Sequence, residues 1–424
     1  METCKRPIPF LFARNAGRLN RISGWIKEPP GIRERRKGGR KMNEAKVYAD
    51  GFHKSFVRQE DFLEFLRGIG KNSSWVRKRT KDLRLAVMEK GSKMEDAMKA
   101  AYIIGGMEED IIDDTIQSTG LVLKVKGLFY PVRDCAVNTI LNRAAISGNG
   151  LKKVERNVYA RIINECLKVA KGEALLRLSE GKVSAVLGGD CQDYAVLDME
   201  QVFLHAVQYL NQNFCGCTYL GGFYEHHMAS ALWELSGEDK LLEAYREELM
   251  LHDRNAEEMK PVVRITTSDT GESGVNIYPM LLSGNRNDTI ALGNPIRLKH
   301  KAGASMAGFD SNLQLIYGKY EVAIRGLSEL LRIAILNPIN CMMGITRHLG
   351  ISQKCRMEAV ELFKAQYGEE PCTAHDIYYG ISEILYMMAC DGAEGSRITK
   401  MEETIARALS VDWKEFDIPG NIKW

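Results

Sequence analysis

The chain has 424 residues, a length that fits two or three domains or one large domain with elaborations, and is 45% hydrophobic and 27% charged, proportions that exclude a disordered, collagen-like or coiled-coil protein. Its net charge of +3 is unevenly distributed: residues 1–41 hold twelve Lys/Arg against three Asp/Glu, so the rest of the chain is mildly acidic. Overall charge therefore gives no argument for a nucleic-acid partner.

The basic leader, 1–41, differs from the rest of the chain. It is Arg-rich, with apolar Phe10, Leu11 and Phe12, and Pro29-Pro30-Gly31 breaks any helical or strand period. It resembles a transit peptide or a basic arm in composition. Lys37-Gly38-Gly39-Arg40-Lys41 stands directly before Met42, and one codon choice for Lys-Gly-Gly reads AAAGGAGG, a bacterial ribosome-binding sequence. We therefore expect translation to start at Met42.

Residues 42–117 read as a helical N-terminal region. Phe62, Leu63, Phe65 and Leu66 recur at helical spacing. Ser73-Ser74 fits the cap of a helix over 75–90, with Val76, Leu83 and Val87 on an apolar stripe and Arg77, Lys81 and Arg84 on a basic one. Ser92 fits the cap of a third helix, which Gly105-Gly106 stops.

Residues 118–300 read as an α+β core. Leu121-Val122-Leu123-Lys124-Val125 is strand-like, and helices are predicted over 132–146 and 152–170. A hairpin comes next, with strands 173–179 and 183–187 around Glu180-Gly181-Lys182. Asp198 is placed to cap a helix over 199–210, and a second helix spans 238–251. Strands are predicted over 261–268, 274–282 and 289–299. From 301 to 424 the chain is helical again, at 313–336, 353–367, 374–390 and 400–408. The expected fold class is α+β, a central mixed or antiparallel sheet flanked by N-terminal and C-terminal helical regions.

The most apolar stretch, 327–345, contains Glu329, Arg332, Asn337, Pro338 and Asn340, too many polar residues for a span of about 20 apolar ones. Ten scattered cysteines without a secretory signal fit reduced thiols. The expectation is a cytoplasmic protein without a membrane partner.

Few motifs carry chemistry. Gly188-Gly189, Gly221-Gly222 and Gly303 lack the spacing of the nucleotide-phosphate loops, and no Ser lies in a GxSxG elbow. No cofactor and no catalytic residue is expected from these patterns. Cys215-Gly216-Cys217 with His226-His227 is an atypical zinc spacing. Both cysteines are read instead as small apolar residues on one strand face, and His205 as a partly buried structural histidine. Asp190, Asp193 and Asp198, with Asp269 and Glu272 further on, form two acidic groupings. They fit a divalent cation acting on phosphates, or turns and caps in which Asp bonds its own backbone. The alternative metal site is Asp190, Asp193 and Asp269.

The most informative segment is Pro295-Ile296-Arg297-Leu298-Lys299-His300-Lys301. On a strand Arg297, Lys299 and Lys301 share one face while Ile296 and Leu298 turn to the core. Three cations in register suit an anionic polymer, and the Arg77, Lys81, Arg84 stripe suits it too. The competing reading is a solvated face whose cations pair with Asp and Glu.

In the middle of the chain, Gly181-Lys182-Val183-Ser184-Ala185-Val186-Leu187, then Tyr194-Ala195-Val196-Leu197-Asp198 and a helix, resembles the phage/plasmid-like protein family, also called domain of unknown function 932. Its pattern reads strand, turn, R-A-V-x-S, Y-x-x-(I/L)-D, helix. Residues 268–274 resemble its N-S-x-x-G segment, 297–302 its R-x-H-x-G segment, and Thr373 to Tyr378 a helix start near its C-terminus. Here Ser184 replaces the Arg of the first motif, and Gly188-Gly189-Asp190 replaces the following Ser-Asp. The resemblance implies a bacterial mobile-element gene and supplies no reaction. The expected function is nucleic-acid binding, with single strands one option, in replication or recombination. A metal-dependent phosphodiesterase and a counter-defence or scaffold protein binding host proteins are the alternatives.

Overall fold

The computed structural model describes residues 46–125, 127–148, 150–238, 240–254, 259–283 and 288–422, so the basic leader and the start at Met42 lie outside the described residues. The fold is α+β around a seven-stranded antiparallel sheet, with two separate three-stranded sheets beside it.

The chain opens with β1 (His53–Phe56) and α1 (Gln59–Lys71). Phe62, Leu66 and Ile69 of α1 fall at 3–4 spacing and are buried. Next come β2 (Ser73–Arg79), a 3-10 turn (Thr80–Asp82) and β3 (Arg84–Val87). This corrects the helix expected over 75–90. Val76, Leu83 and Val87 do turn inward, but from β2, the end of the 3-10 turn and β3 in turn, because β2 finds a full antiparallel partner over Glu173–Ser179 and β3 one over Leu121–Lys124. Ladder pairing and burial override a local pattern that helix and strand both satisfy. Helix α2 (Lys93–Ile104) starts where Ser92 accepts the Glu95 N–H, and α3 (Asp110–Gln117) comes after it.

Strands β4 (Leu121–Val125) and β5 (Leu128–Pro131) complete the first small sheet, in the order β3-β4-β5. Then come α4 (Asp134–Arg143), α5 (Arg156–Val169) and the hairpin β6 (Glu173–Ser179) and β7 (Lys182–Gly188), which with β2 forms the other sheet. The hairpin's two turn residues, Glu180 and Gly181, both have positive φ, 50° and 74°, as a tight turn matched to strand twist requires. A parallel bridge from Val132 to Val183 ties the two sheets together. Leu85, Leu123, Ile140, Ile163, Leu176 and Val186 belong to one core that draws only on residues of this part of the chain.

The second and larger core joins Phe52–Ile69 to the remainder of the chain beyond Leu197. Helix α6 (Met199–Asn213) is capped by Asp198, which accepts the Gln201 N–H. The large sheet runs β1, β8 (Thr218–Glu225), β9 (Met228–Glu234), β10 (Met259–Thr267), β11 (Val275–Ser283), β12 (Asp288–Ala291), with α7 (Lys240–Leu251) between β9 and β10 in the chain. The strand expected over 289–299 is in fact two. The chain leaves β12 at Leu292–Pro295 and returns as β13 (Ile296–Leu298), and both pair with β11 at different places.

The C-terminal part covers this sheet with α8 (Met306–Leu313), α9 (Ile316–Leu331), α10 (Pro338–His348), α11 (Gln353–Tyr367), α12 (Ala374–Cys390) and α13 (Gly395–Ala406). A two-residue pair, β14 (Ala334–Ile335) with β15 (Cys372–Thr373), precedes α12. Helix α10 is absent from the sequence expectation; Pro338 at its first turn splits what reads as one long apolar stretch. Among the described residues no helix is long and apolar enough to cross a membrane.

Candidate nucleic-acid interface

The cations singled out in the sequence fall on strands and turns. Arg77 lies on β2, Lys81 in the 3-10 turn and Arg84 on β3, so these three form no helical stripe. Alternation along β2 turns Val76 to the small core and Trp75, Arg77 and Arg79 to the opposite face. Arg77 is half exposed, 3.8 Å from Glu173, and Arg79 bonds Asp82 at 2.8 Å.

The 296–301 segment keeps its alternation of exposure, but the strand ends at Leu298. Beyond it the Lys301 N–H bonds the Lys299 carbonyl at 2.8 Å, a local turn. Ile296 and Leu298 pack on the large core, as the alternation predicts. Arg297 is committed to Glu403 of α13. Lys299 and Lys301 are exposed and have no ion-pair partner among the described residues.

His300, between them, is 7% exposed, and its Nδ1 lies 3.0 Å from the Ala195 carbonyl. Burial pushes its imidazole pKa down, so the ring is neutral at pH 7. It stacks on Tyr194 at 4.9 Å with the planes 9° apart. Tyr194 lies 5.8 Å from Trp75, and burial pushes its hydroxyl pKa up. A row of three rings therefore runs from β2, past the Gly189–Asp198 loop, to the turn after β13. Trp75 and Tyr194 are half-buried. Residues far apart in sequence meet here: the row links β2, which carries Arg77, to the turn that carries Lys299 and Lys301.

A buried ion pair fixes the row from beneath. Arg177, opposite Trp75 on β6, holds its guanidinium 5.2 Å from the Trp75 ring and donates from Nε to Asp269 at 2.6 Å. Asp269 sits in the β10–β11 turn, next to Ser268, whose carbonyl accepts the Tyr194 hydroxyl at 3.4 Å.

The acidic groupings are occupied by the protein's own groups. Asp190 accepts the Glu173 N–H at 3.1 Å, Asp198 caps α6, and Glu272 binds His227 and Lys400, each at 3.0 Å. Asp193 packs beside Gly188. Among the described residues no group of three or more His, Cys, Asp or Glu is arranged to hold a metal ion. Cys215 and Cys217 lie in the loop before β8, not on a strand face as expected: Cys215 is exposed, and burial pushes the Cys217 thiol pKa up to about 12. His205 pairs with Asp310 at 2.9 Å.

Sequence reasoning missed a buried charged cluster. Lys182 and Arg133 are fully buried; Lys182 bonds Asp50 at 2.8 Å and also Asp114, while Arg133 donates to the Tyr48 carbonyl at 3.0 Å and contacts His226. Burial, then the Arg133 charge, drives the His226 pKa well down. Lys182 sits one residue past a tight turn, where a lysine reads as solvated, so its pattern carries no signal.

No protein-family model, no curated protein and no solved structure matches the chain.

Proposed function

We propose that this chain binds single-stranded nucleic acid across the Trp75–Tyr194–His300 row. The observation that carries the reading is that the row links β2, with Arg77 near Glu173, to a turn whose exposed Lys299 and Lys301 have no ion-pair partner among the described residues. Single-strand binders combine cations that follow the backbone with aromatic faces on which bases stack, each base being worth about 1–3 kcal/mol. Trp75 and Tyr194 are each partly exposed, while buried His300 anchors the stack. The resemblance to the phage/plasmid-like family motivates the setting, replication or recombination of a mobile element in bacterial cytoplasm. The phosphodiesterase reading gains no support from Asp190 and Asp269, which are engaged by the Glu173 amide and by Arg177.

The test is fluorescence anisotropy with labelled oligothymidylate and oligouridylate over a salt series. Affinity should fall steeply with salt, and Lys299→Ala with Lys301→Ala should lower the logarithmic slope by about 0.7 per cation removed. Trp75→Ala should weaken binding about tenfold at constant salt with little change in slope. Absence of salt-dependent binding by the wild-type chain at low ionic strength refutes the reading and moves the host-protein scaffold to first place.

A further inference from the structure

Beyond the 3-10 turn that follows β2 lies a second basic feature. A groove of about 550 Å³ lies between β3 and α5 and is lined by Arg84, Arg161, Lys168, Asn157, Asn164 and Glu165 among others. Asn157, Arg161, Asn164 and Lys168 fall at i, i+4, i+7 and i+11 of α5, one stripe of the helix. The groove's width is fixed by Asn164, whose side-chain amide both accepts the Leu85 N–H and donates to the Leu85 carbonyl, each at 2.7 Å. This amide copies the pairing of a neighbouring strand and closes the free edge of β3 at that point.

The cations are held in place and only partly neutralised. Arg84 spends Nη1 on the Lys81 and Leu83 carbonyls, both at 2.7 Å, and its other nitrogens have no hydrogen-bond partner among the described residues. Arg161 is exposed and has no hydrogen-bond or ion-pair partner among the described residues. Among the described residues Lys168 alone of the three forms an ion pair, with Glu165; the Glu165 charge also reaches Arg84, and Glu155 at the head of α5 reaches Arg161. Three cations against one anion leave the lining at +2. Gathering like charges in a groove costs free energy unless an anion is bound there. Arg161 and Lys168 leave α5 seven residues apart, about 10 Å along the axis, so two phosphate groups spaced along the groove match the lining's +2 better than one.

We propose that the β3–α5 groove is a phosphate site that takes a ligand carrying two or more phosphate groups. Arg84 supplies a forked donor at one wall, and Arg161 and Lys168 supply charge along the other. Two sources carry this chemistry: the backbone of a nucleic-acid strand arriving past Arg77 and Lys81, or a free polyphosphate or nucleotide. The groove stands independently of the ring row.

The experiment titrates the full chain calorimetrically at low ionic strength with tripolyphosphate, inorganic phosphate and a 20-residue oligothymidylate. The variant is Arg161→Gln with Lys168→Gln; both sites are exposed and Gln is a good helix former, and an unchanged melting temperature checks folding. A charge-matched control, Arg325→Gln with Lys354→Gln, sits on other helices. Tripolyphosphate should bind the wild type and the control alike, inorganic phosphate much more weakly, and the variant should bind tripolyphosphate about tenfold or more weaker. A parallel loss with the oligonucleotide identifies a strand as the source; loss with tripolyphosphate alone identifies a free ligand. Wild type that binds neither probe, or a variant that binds both as wild type does, overturns the proposal. Trp75→Ala separates the two sites: unchanged oligonucleotide affinity in that variant defeats the ring-row reading and leaves the groove untouched.

Discussion

Replacing Asp269 by Asn removes the charge that Arg177 faces while keeping the side chain's shape. The pair is short, 2.6 Å, with only 7% and 13% of the two side chains exposed. Arg177 would be left buried without its counter-charge, a change that costs about 3–5 kcal/mol in comparable pairs. The Trp75 ring, 5.2 Å from the guanidinium, continues to favour the cation by about 1 kcal/mol, so a loss near the lower end, about 3 kcal/mol, is expected. Equilibrium urea unfolding, followed by circular dichroism and tryptophan fluorescence, measures it. Arg177→Met combined with Asp269→Leu should recover most of the loss, because an apolar pair leaves no stranded charge, and the coupling between the two sites should exceed about 2 kcal/mol. Oligonucleotide affinity should fall in Asp269→Asn as well, since Tyr194 bonds the carbonyl of the adjoining Ser268. An Asp269→Asn variant within about 0.5 kcal/mol of wild type, the range of an ordinary surface change, or two single effects that simply add, would refute the reasoning.

Lys182→Met should cost about 3–5 kcal/mol in the same assay, because it leaves Asp50 and Asp114 facing each other without the cation between them. Thr373→Ala removes one half of a reciprocal capping box with Asp376 at the start of α12 and should cost about 1–2 kcal/mol. The His227–Glu272 bond predicts a pH window: it holds the Glu272 carboxyl down at about 2, with Lys400 assisting, and raises His227 above its ordinary 6.5. The Glu272 contribution is complete above its ordinary 4.5 and lost as pH falls toward 2, while the His227 contribution is complete below 6.5 and lost as pH rises through its raised value. Melting temperature should therefore decline above about pH 6.5 in the wild type, and His227→Gln should flatten that decline.

The elements that sequence specifies most sharply are those whose ends are chemically marked. Glu180-Gly181 fixes the β6–β7 turn, Ser92 and Asp198 cap α2 and α6, and Gln353–Tyr367 and Ala374–Cys390 have the bounds their periodicity predicts. Where a pattern fits two periods, pairing partners decide. Val76, Leu83 and Val87 suit a helix until β6 and β4 are found beside them. The break at Leu292–Pro295 reads locally as part of one strand, yet β11 accepts both pieces. At the candidate site the exposed lysines were legible from alternation. The ring row was not, because Trp75, Tyr194 and His300 meet only through the fold. The β3–α5 groove was hidden for the same reason: Arg84 and Arg161 belong to elements whose contact no local pattern encodes.

The separation of the two largest cores dictates an order of events during synthesis. Strand β1 emerges from the ribosome early, but its ladder partner, β8, begins at Thr218. At about 5–20 residues per second the wait is on the order of ten seconds or more. The small core needs nothing beyond Gly188. The inner part of the chain can therefore be folded while Phe52 and Phe56 are still waiting for the sheet that buries them. For that interval the nascent chain carries an aromatic, unpaired strand tethered to a finished body, the kind of segment a ribosome-bound chaperone would hold. Variants that slow elongation between Gly188 and Thr218 should show their cost as aggregation of the newborn chain, with the stability of the mature protein unchanged.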